Sequence, residues 1–180
     1  MSTVAIVLDT STIFRGAVDI IEDGIVRNLE SIDRIFYFTT HSVISEIKSK
    51  KSEVLVLTIM HKITVLEPSR RALVHIKKVA SETGDISKLS ETDIDVLALA
   101  LDLMEKYERV IVASEDYAVQ NLCLFLGISI ISIRKKIRYI VEKRKKCKNC
   151  STIYISALEE CPSCGSSDFT WIIKKRKWKK

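Results

Sequence analysis

The stretch TVAIVLDTSTI, residues 3–13, decides the fold. Its first six residues, Thr3 to Leu8, form an apolar run without polar alternation. That texture fits a strand covered on both faces, as in a parallel sheet. The run stops on Asp9, a carboxylate at the carboxyl end of a buried strand. Alone, Asp-Thr-Ser after a strand is also ordinary turn chemistry. The arrangement returns about a hundred residues later in RVIVASED, residues 109–116, where Glu115 and Asp116 follow a second apolar run.

Working outward, three more short runs read as strands: residues 35–38 (IFYF), 63–66 (ITVL) and 129–133 (SIISI). Between them, helix-period segments are expected near 17–30, 41–50, 52–61, 69–80, 91–106 and 116–126. The alternation predicts an α/β sandwich of three layers around a mostly parallel sheet. Ligands of such sheets bind beyond the carboxyl ends of the strands, near a topological switch point, where Asp9 and Glu115/Asp116 would lie.

Two further segments carry acids. In LSETDIDVLALALDLMEK, helical geometry puts Asp93 on one face with Leu97, Ala100 and Met104, and Asp95 roughly opposite, beside Asp102. An inward Asp93 needs a partner, a proton or a metal. The alternative is a capping box from Ser90 to Asp93. Glu46, in HSVISEIKSK, sits at the margin of a stripe formed by Val43, Ile44 and Ile47, where a solvated side chain is the alternative to a functional one. Glu115 and Asp116 can equally cap the helix that follows. Carboxylates converging on one edge repel unless a cation neutralises them. Oxygen ligands suit Mg2+ or Mn2+, which activate water and stabilise charge during attack on a phosphodiester.

The chain has 180 residues, 47% hydrophobic and 29% charged, a globular composition with room for one domain and a small module. Its net charge of +6 is unevenly placed. Residues 134–180 hold 15 Lys and Arg against 4 Asp and Glu, a balance of +11, and the preceding 133 residues are at −5. A concentrated basic end suits a polyanion, nucleic acid first, or serves only as a solvated tail. The apolar run 4–8 is too short for a signal peptide, and the longest, residues 122–133, is too short for a membrane span. A soluble cytoplasmic protein without membrane contact is expected.

CKNCSTIYISALEECPSCG, residues 147–165, gives Cys-x2-Cys, ten intervening residues and Cys-x2-Cys. Cys147, Cys150, Cys161 and Cys164 can complete a tetrahedral Zn2+ site with no open position, hence structural; disulfides are the alternative. Cys123 reads as a core thiol. His41, His61 and His75 have no partner at ligand spacing. Trp171 is expected to pack its strand and Trp178 to remain passive, base stacking being the alternative for Trp178. The expected division is residues 1–133, a basic connector over 134–146, the zinc ribbon over 147–173 and a basic tail over 174–180.

Taken in order, VLDTSTI, SEI, LSETDIDVLALA and VIVASEDYAVQN resemble the four acidic motifs of PIN-domain nucleases across residues 3–133. The resemblance implies a PIN-like sandwich in which Asp9, Glu46, Asp93 and Asp116 bind the catalytic Mg2+ or Mn2+, with Ser11, Ser114 and Glu115 as accessories. Close relatives often carry Thr-Asp-Asp where this chain has Ser114-Glu115-Asp116. With the ribbon, the whole resembles the compact archaeal form of the Nob-one endonuclease family. That implies an endoribonuclease maturing the 3′ end of small-subunit (16S) rRNA and leaving 5′-phosphate and 3′-hydroxyl ends. Its partners would be the precursor rRNA, the pre-ribosomal particle and assembly-factor proteins. Lys143, Arg144, Lys145, Lys146, Lys148, Lys174, Lys175, Arg176 and Lys177 would grip the RNA. The competing readings are a toxin-like PIN nuclease with another RNA target and a non-catalytic rRNA-binding assembly factor.

Overall fold

The computed structural model describes residues 3–14, 34–49, 61–132, 137 and 139–177. The helix expected near 17–30, residues 52–60 of the one expected over 52–61, residues 134–136 and 138 of the connector, and Trp178 lie outside the described residues.

The five expected strands form one parallel sheet: β1 (Thr3–Leu8), β2 (Arg34–Thr39), β3 (Ile63–Val65), β4 (Arg109–Ala113) and β5 (Ser129–Ile131). Their order is β3-β2-β1-β4-β5. β1 lies at the centre because it is the most uniformly apolar strand, with Val4 to Leu8 fully buried. Sequential strands extend to one side of it through β2 and β3, then the chain returns to the other side with β4. The switch point is therefore the β1/β4 pair, registered from Val4↔Arg109 to Leu8↔Ala113. Both strands end on this register, so Asp9 and Ser114 leave the sheet side by side.

The described helices are α1 (Thr10–Ile13), α2 (His41–Ser49), α3 (Arg70–Thr83), α4 (Glu91–Leu103) and α5 (Tyr117–Leu126), with a 3-10 turn over Ile86–Lys88. Their termini obey local chemistry. Ser69 caps α3 through the Ala72 N–H, and Ser90 caps α4 through the Asp93 N–H. Gly84 and Gly127 end α3 and α5 in the left-handed conformation that glycine tolerates. α4 and α5 contribute Leu97, Leu99 and Leu122 to the core beside Ile6 and Ile111, each such burial contributing roughly 1.5–3 kcal/mol. Cys123 lies in this core, and burial pushes its thiol far up, as for an inert packing group. No described helix is long and apolar enough to cross a membrane.

Beyond the parallel sheet the chain departs from the expected connector and tail. β6 (Tyr139–Cys147) runs through the second half of the basic stretch, and β8 (Phe169–Lys177) runs through most of the tail. They pair antiparallel from Tyr139↔Lys177 to Cys147↔Phe169, with β7 (Ile153–Ile155) on the other edge of β6. A lysine-rich sequence forms strand here because nine cross-strand pairs and the cysteine knuckles hold it, against its low intrinsic preference.

Candidate functional site

Asp9 is only 5% exposed, at the carboxyl end of β1. Its backbone N–H donates to Ala113 O, and Thr12 Oγ1 donates to both Asp9 O and Ala113 O, so the ends of β1 and β4 are tied together. Two hydroxyls aim its side chain: Ser11 Oγ at 2.8 Å and Ser114 Oγ at 2.7 Å both donate to Oδ2. Burial lifts the Asp9 carboxyl above its ordinary range, those two hydroxyls oppose the rise, and the nearby Asp93 charge adds to it.

The other acids arrive from separate elements. Glu46, on α2, accepts from Thr10 Oγ1 at 2.8 Å, which places it one residue from Asp9 through α1. Asp93 forms the capping box, its Oδ2 accepting from Ser90 N and Ser90 Oγ. Capping and proximity to Asp9 are thus combined in one half-buried carboxylate, and Asp95 opposite it is half-buried as well. Asp102 takes a purely local job, accepting from Ser69 N and Oγ at the start of α3. Asp116 is exposed and caps α5, its Oδ1 accepting from the Ala118 and Val119 N–H groups. It joins Asp9 through Ser114, whose Oγ donates to Asp9 and accepts from the Asp116 N–H. Glu115 donates its N–H to Ser11 Oγ and accepts from Ser132 Oγ. The structure therefore assembles Asp9, Ser11, Ser114, Glu115 and the Asp116 backbone into one hydrogen-bonded cluster, with Glu46 and Asp93 beside it.

Among the described residues, the set whose ligand atoms gather within 4.8 Å of one another is the four cysteines, not the acids. The acids still suit a hard divalent cation. Such ions commonly use one or two carboxylates with retained waters rather than an all-protein cage. The unfavourable charge at Asp9 is what a cation would relieve.

The cysteine Sγ atoms stand 3.6 Å apart for Cys147–Cys164 and 3.5 Å for Cys150–Cys161. Bonded sulfurs would be about 2.05 Å apart, whereas tetrahedral thiolates on zinc stand roughly 3.8 Å apart. All five cysteines are free, so the disulfide alternative falls. The hydroxyl and backbone of Thr152 hold Cys150 down at about 6, ready to bind as thiolate. The small sheet has little else for a core: Cys147, Tyr154 and Cys161, with Phe169 against them.

The basic residues divide. Lys146, Lys148, Lys174, Lys175, Arg176 and Lys177 are exposed. Lys148 pairs loosely with Asp168, and Arg176 with Glu142 and the Phe125 ring. Arg144 is half-buried beside Glu142. Lys145 differs from the expected RNA-facing role. It is 8% exposed, donates to Leu158 O at 2.8 Å and lies over the Phe169 and Trp171 rings at 4.4 and 5.6 Å. Strand alternation turns it, with Cys147, to the packed face. Lys143 leans towards buried Asp85, 3.4 Å away, with its side chain 21% exposed along a cleft between α5 and β6. Trp171 packs edge-on to Phe169 while remaining largely exposed. His41, His61 and His75 are exposed surface residues.

Three residues absent from the sequence-level expectations join ribbon to sheet. Gln120, fully buried in α5, donates to Ser114 O and accepts from Ile137 N. Asn121 accepts from Val141 N at 2.7 Å and donates to Val141 O at 2.8 Å, imitating a strand partner for β6. Its Nδ2 also donates to buried Asp85. The available signal was two adjacent amides inside the apolar helix AVQNLCLFL.

The parallel sheet, its switch point and the acids at that edge define a PIN-domain ribonuclease, and residues 6–103 match the PIN domain of ribonuclease. Endoribonuclease Nob1 of Archaeoglobus fulgidus is 34% identical over 172 residues, covering 95% of this chain and 93% of the relative. Ribonuclease VapC1 of Thermoplasma acidophilum is 32% identical, covering 88% and 74%. The solved VapBC-1 structure from nontypeable Haemophilus influenzae shares the fold, with a TM-score of 0.50 at 15% identity over 73% of this chain and 99% of that one. The chain belongs to the PIN-domain ribonucleases and, within them, to the Nob1 endoribonuclease family.

Proposed function

We propose that this chain is a metal-dependent endoribonuclease that matures the 3′ end of small-subunit (16S) rRNA within the pre-ribosomal particle. The observation that carries the reading is the buried Asp9 carboxylate, aimed by two serines at the switch point, in a chain that also carries the exposed basic strand β8. The relatives named Endoribonuclease Nob1 support RNA as the substrate class. In this reading Asp9, Glu46, Asp93 and Asp116 hold Mg2+ or Mn2+, which supplies activation of water and stabilisation of phosphate charge. Ser11 and Ser114 fix the Asp9 oxygens, Thr10 fixes Glu46, and Ser90 fixes Asp93. Asp116 keeps one oxygen on the α5 N-terminus and presents the other. Hydrolysis leaves 5′-phosphate and 3′-hydroxyl ends. The four cysteines hold a structural Zn2+ that sets the ribbon, and Lys146, Lys148, Lys174, Lys175 and Lys177 contact the RNA backbone. The chain acts in the cytoplasm, with assembly-factor proteins as further partners, and its division falls near residue 133.

The likeness to Ribonuclease VapC1 favours a second reading, a PIN nuclease with another RNA target. Mapping cleavage on an RNA spanning the mature 3′ end, against a tRNA transcript, separates the two. Cutting at the mature end alone supports rRNA maturation. Preferential cutting of tRNA contradicts it.

A further inference from the structure

A cleft of about 440 Å³ opens between α5 and β6, and its lining includes Asp116, Tyr117, Tyr139, Lys88 and Lys143. Tyr117 opens α5 directly after Asp116, and Tyr139 opens β6. The two residues are 54% and 49% exposed, and neither ring stacks on another aromatic among the described residues. Two apolar ring faces are thus left in water on the walls of one concavity. Lys88 and Lys143 supply cations on the same lining, and only Asp85 is paired with Lys143 among the described residues. Desolvation and then the proximity of Lys88 lower the Lys143 pKa, and Asp85 opposes them.

Position decides what fits. One end of the cleft is the acidic edge, through Asp116, and its far wall is β6, the strand that pairs with basic β8. The cleft therefore lies between the acidic edge and the basic strands, where a polyanion engaged by both could pass. We propose that the cleft is an RNA subsite, in which Tyr117 and Tyr139 stack on unpaired bases next to the cleaved position while Lys88 and Lys143 meet the adjoining phosphate. Stacking needs a splayed base, so the subsite selects single-stranded RNA over duplex. It rests on the RNA-cleaving reading and gives that site its preference for unpaired substrate.

The test measures affinity of the full chain in EDTA, where nothing is cut, for an unstructured uridine-rich RNA and for a fully paired hairpin. Tyr117→Ala and Tyr139→Ala each weaken single-strand binding roughly tenfold, the loss expected of one stacking aromatic. Tyr117→Phe and Tyr139→Phe retain it, and hairpin affinity is unchanged in all four. Alanine variants that bind the single strand like wild type overturn the proposal and leave the cleft to a protein segment. Equal losses for strand and hairpin overturn it too, since they indicate a damaged fold or a general electrostatic effect. A wild type that binds single strands through these tyrosines yet cuts no RNA with Mn2+ contradicts the nuclease reading alone.

Discussion

Asp9 is held in a state that costs the fold stability. Its folded pKa lies above the ordinary 3.8, with burial the main cause, so its ionised form is less favourable folded than unfolded. That penalty is present at pH values above the raised pKa and disappears below the ordinary one. Asp9→Asn removes it and keeps an oxygen for the Ser11 and Ser114 hydroxyls. In EDTA at pH 7 the variant therefore melts higher than wild type, and the difference shrinks as pH falls towards 3. Thermal unfolding followed by circular dichroism across this range checks it; a lower melting point for the variant at pH 7 contradicts the account. The exchange of stability for function is common where charge is stored at a site. At this scale the positions of Asp9, Asp93 and Asp116 were legible because each follows a recognisable run or cap, whereas Glu46 lies inside a helix and its hydrogen bond to Thr10 carried no local mark. The fate of Lys145 was not legible, because a lysine in a lysine-rich strand carries no mark of which face it takes until Cys147 and the knuckles fix the register.

At the scale of elements, the α5 helix joins the two sheets. Its Gln120 and Asn121 reach Ile137 and Val141, and Gln120 also holds the Ser114 carbonyl. Asn121→Ala removes three hydrogen bonds and takes from the buried Asp85 carboxylate its amide donor, leaving it the longer contact to Lys143. It should cost ~2 kcal/mol in stability, read by urea unfolding; a loss below a few tenths would contradict the docking. Gly84 makes a second junction. It ends α3 at φ +81°, and an added Cβ would meet Ser156 Oγ at 2.7 Å and Lys143 Cβ at 2.9 Å. Gly84→Ala should therefore destabilise through both backbone strain and displacement of β6. A metal on the four cysteines would supply much of the ribbon's stability, since its core is three buried residues and one partner ring. Stripping zinc or making Cys147→Ser should expose the amides of β7 and of the Cys147 end of β6 to rapid hydrogen exchange. Those of β1 and β4 should stay protected; loss of protection in both sheets together would contradict independent stabilisation. The five parallel strands were readable from apolar texture alone. β6 and β8 were not, because they are held by cross-strand pairing and the cysteine knuckles rather than by side chains with strand preference.

Across the whole molecule, opposite charge is separated along the chain and then brought close by folding. The acidic edge lies at the β1/β4 switch point, and the basic strand pair reaches it through α5. A basic surface suited to phosphates thus stands beside carboxylates that would otherwise repel them, and a divalent cation would reconcile the two. RNA affinity should fall steeply with salt, and replacing Lys174, Lys175 and Lys177 with Gln should flatten that dependence by about 2 units of log–log slope. An unchanged slope in a salt titration would contradict the assignment of the basic strands. The central claim is that the acidic edge cuts RNA. It is tested most directly by incubating wild type and Asp9→Asn with an RNA spanning the mature 3′ end of small-subunit rRNA, with Mn2+ and with EDTA. Cleavage by wild type in Mn2+, abolished by EDTA and reduced at least about 100-fold in the variant, is the predicted result. Equal cleavage by the two proteins, or cleavage that persists in EDTA, would contradict it.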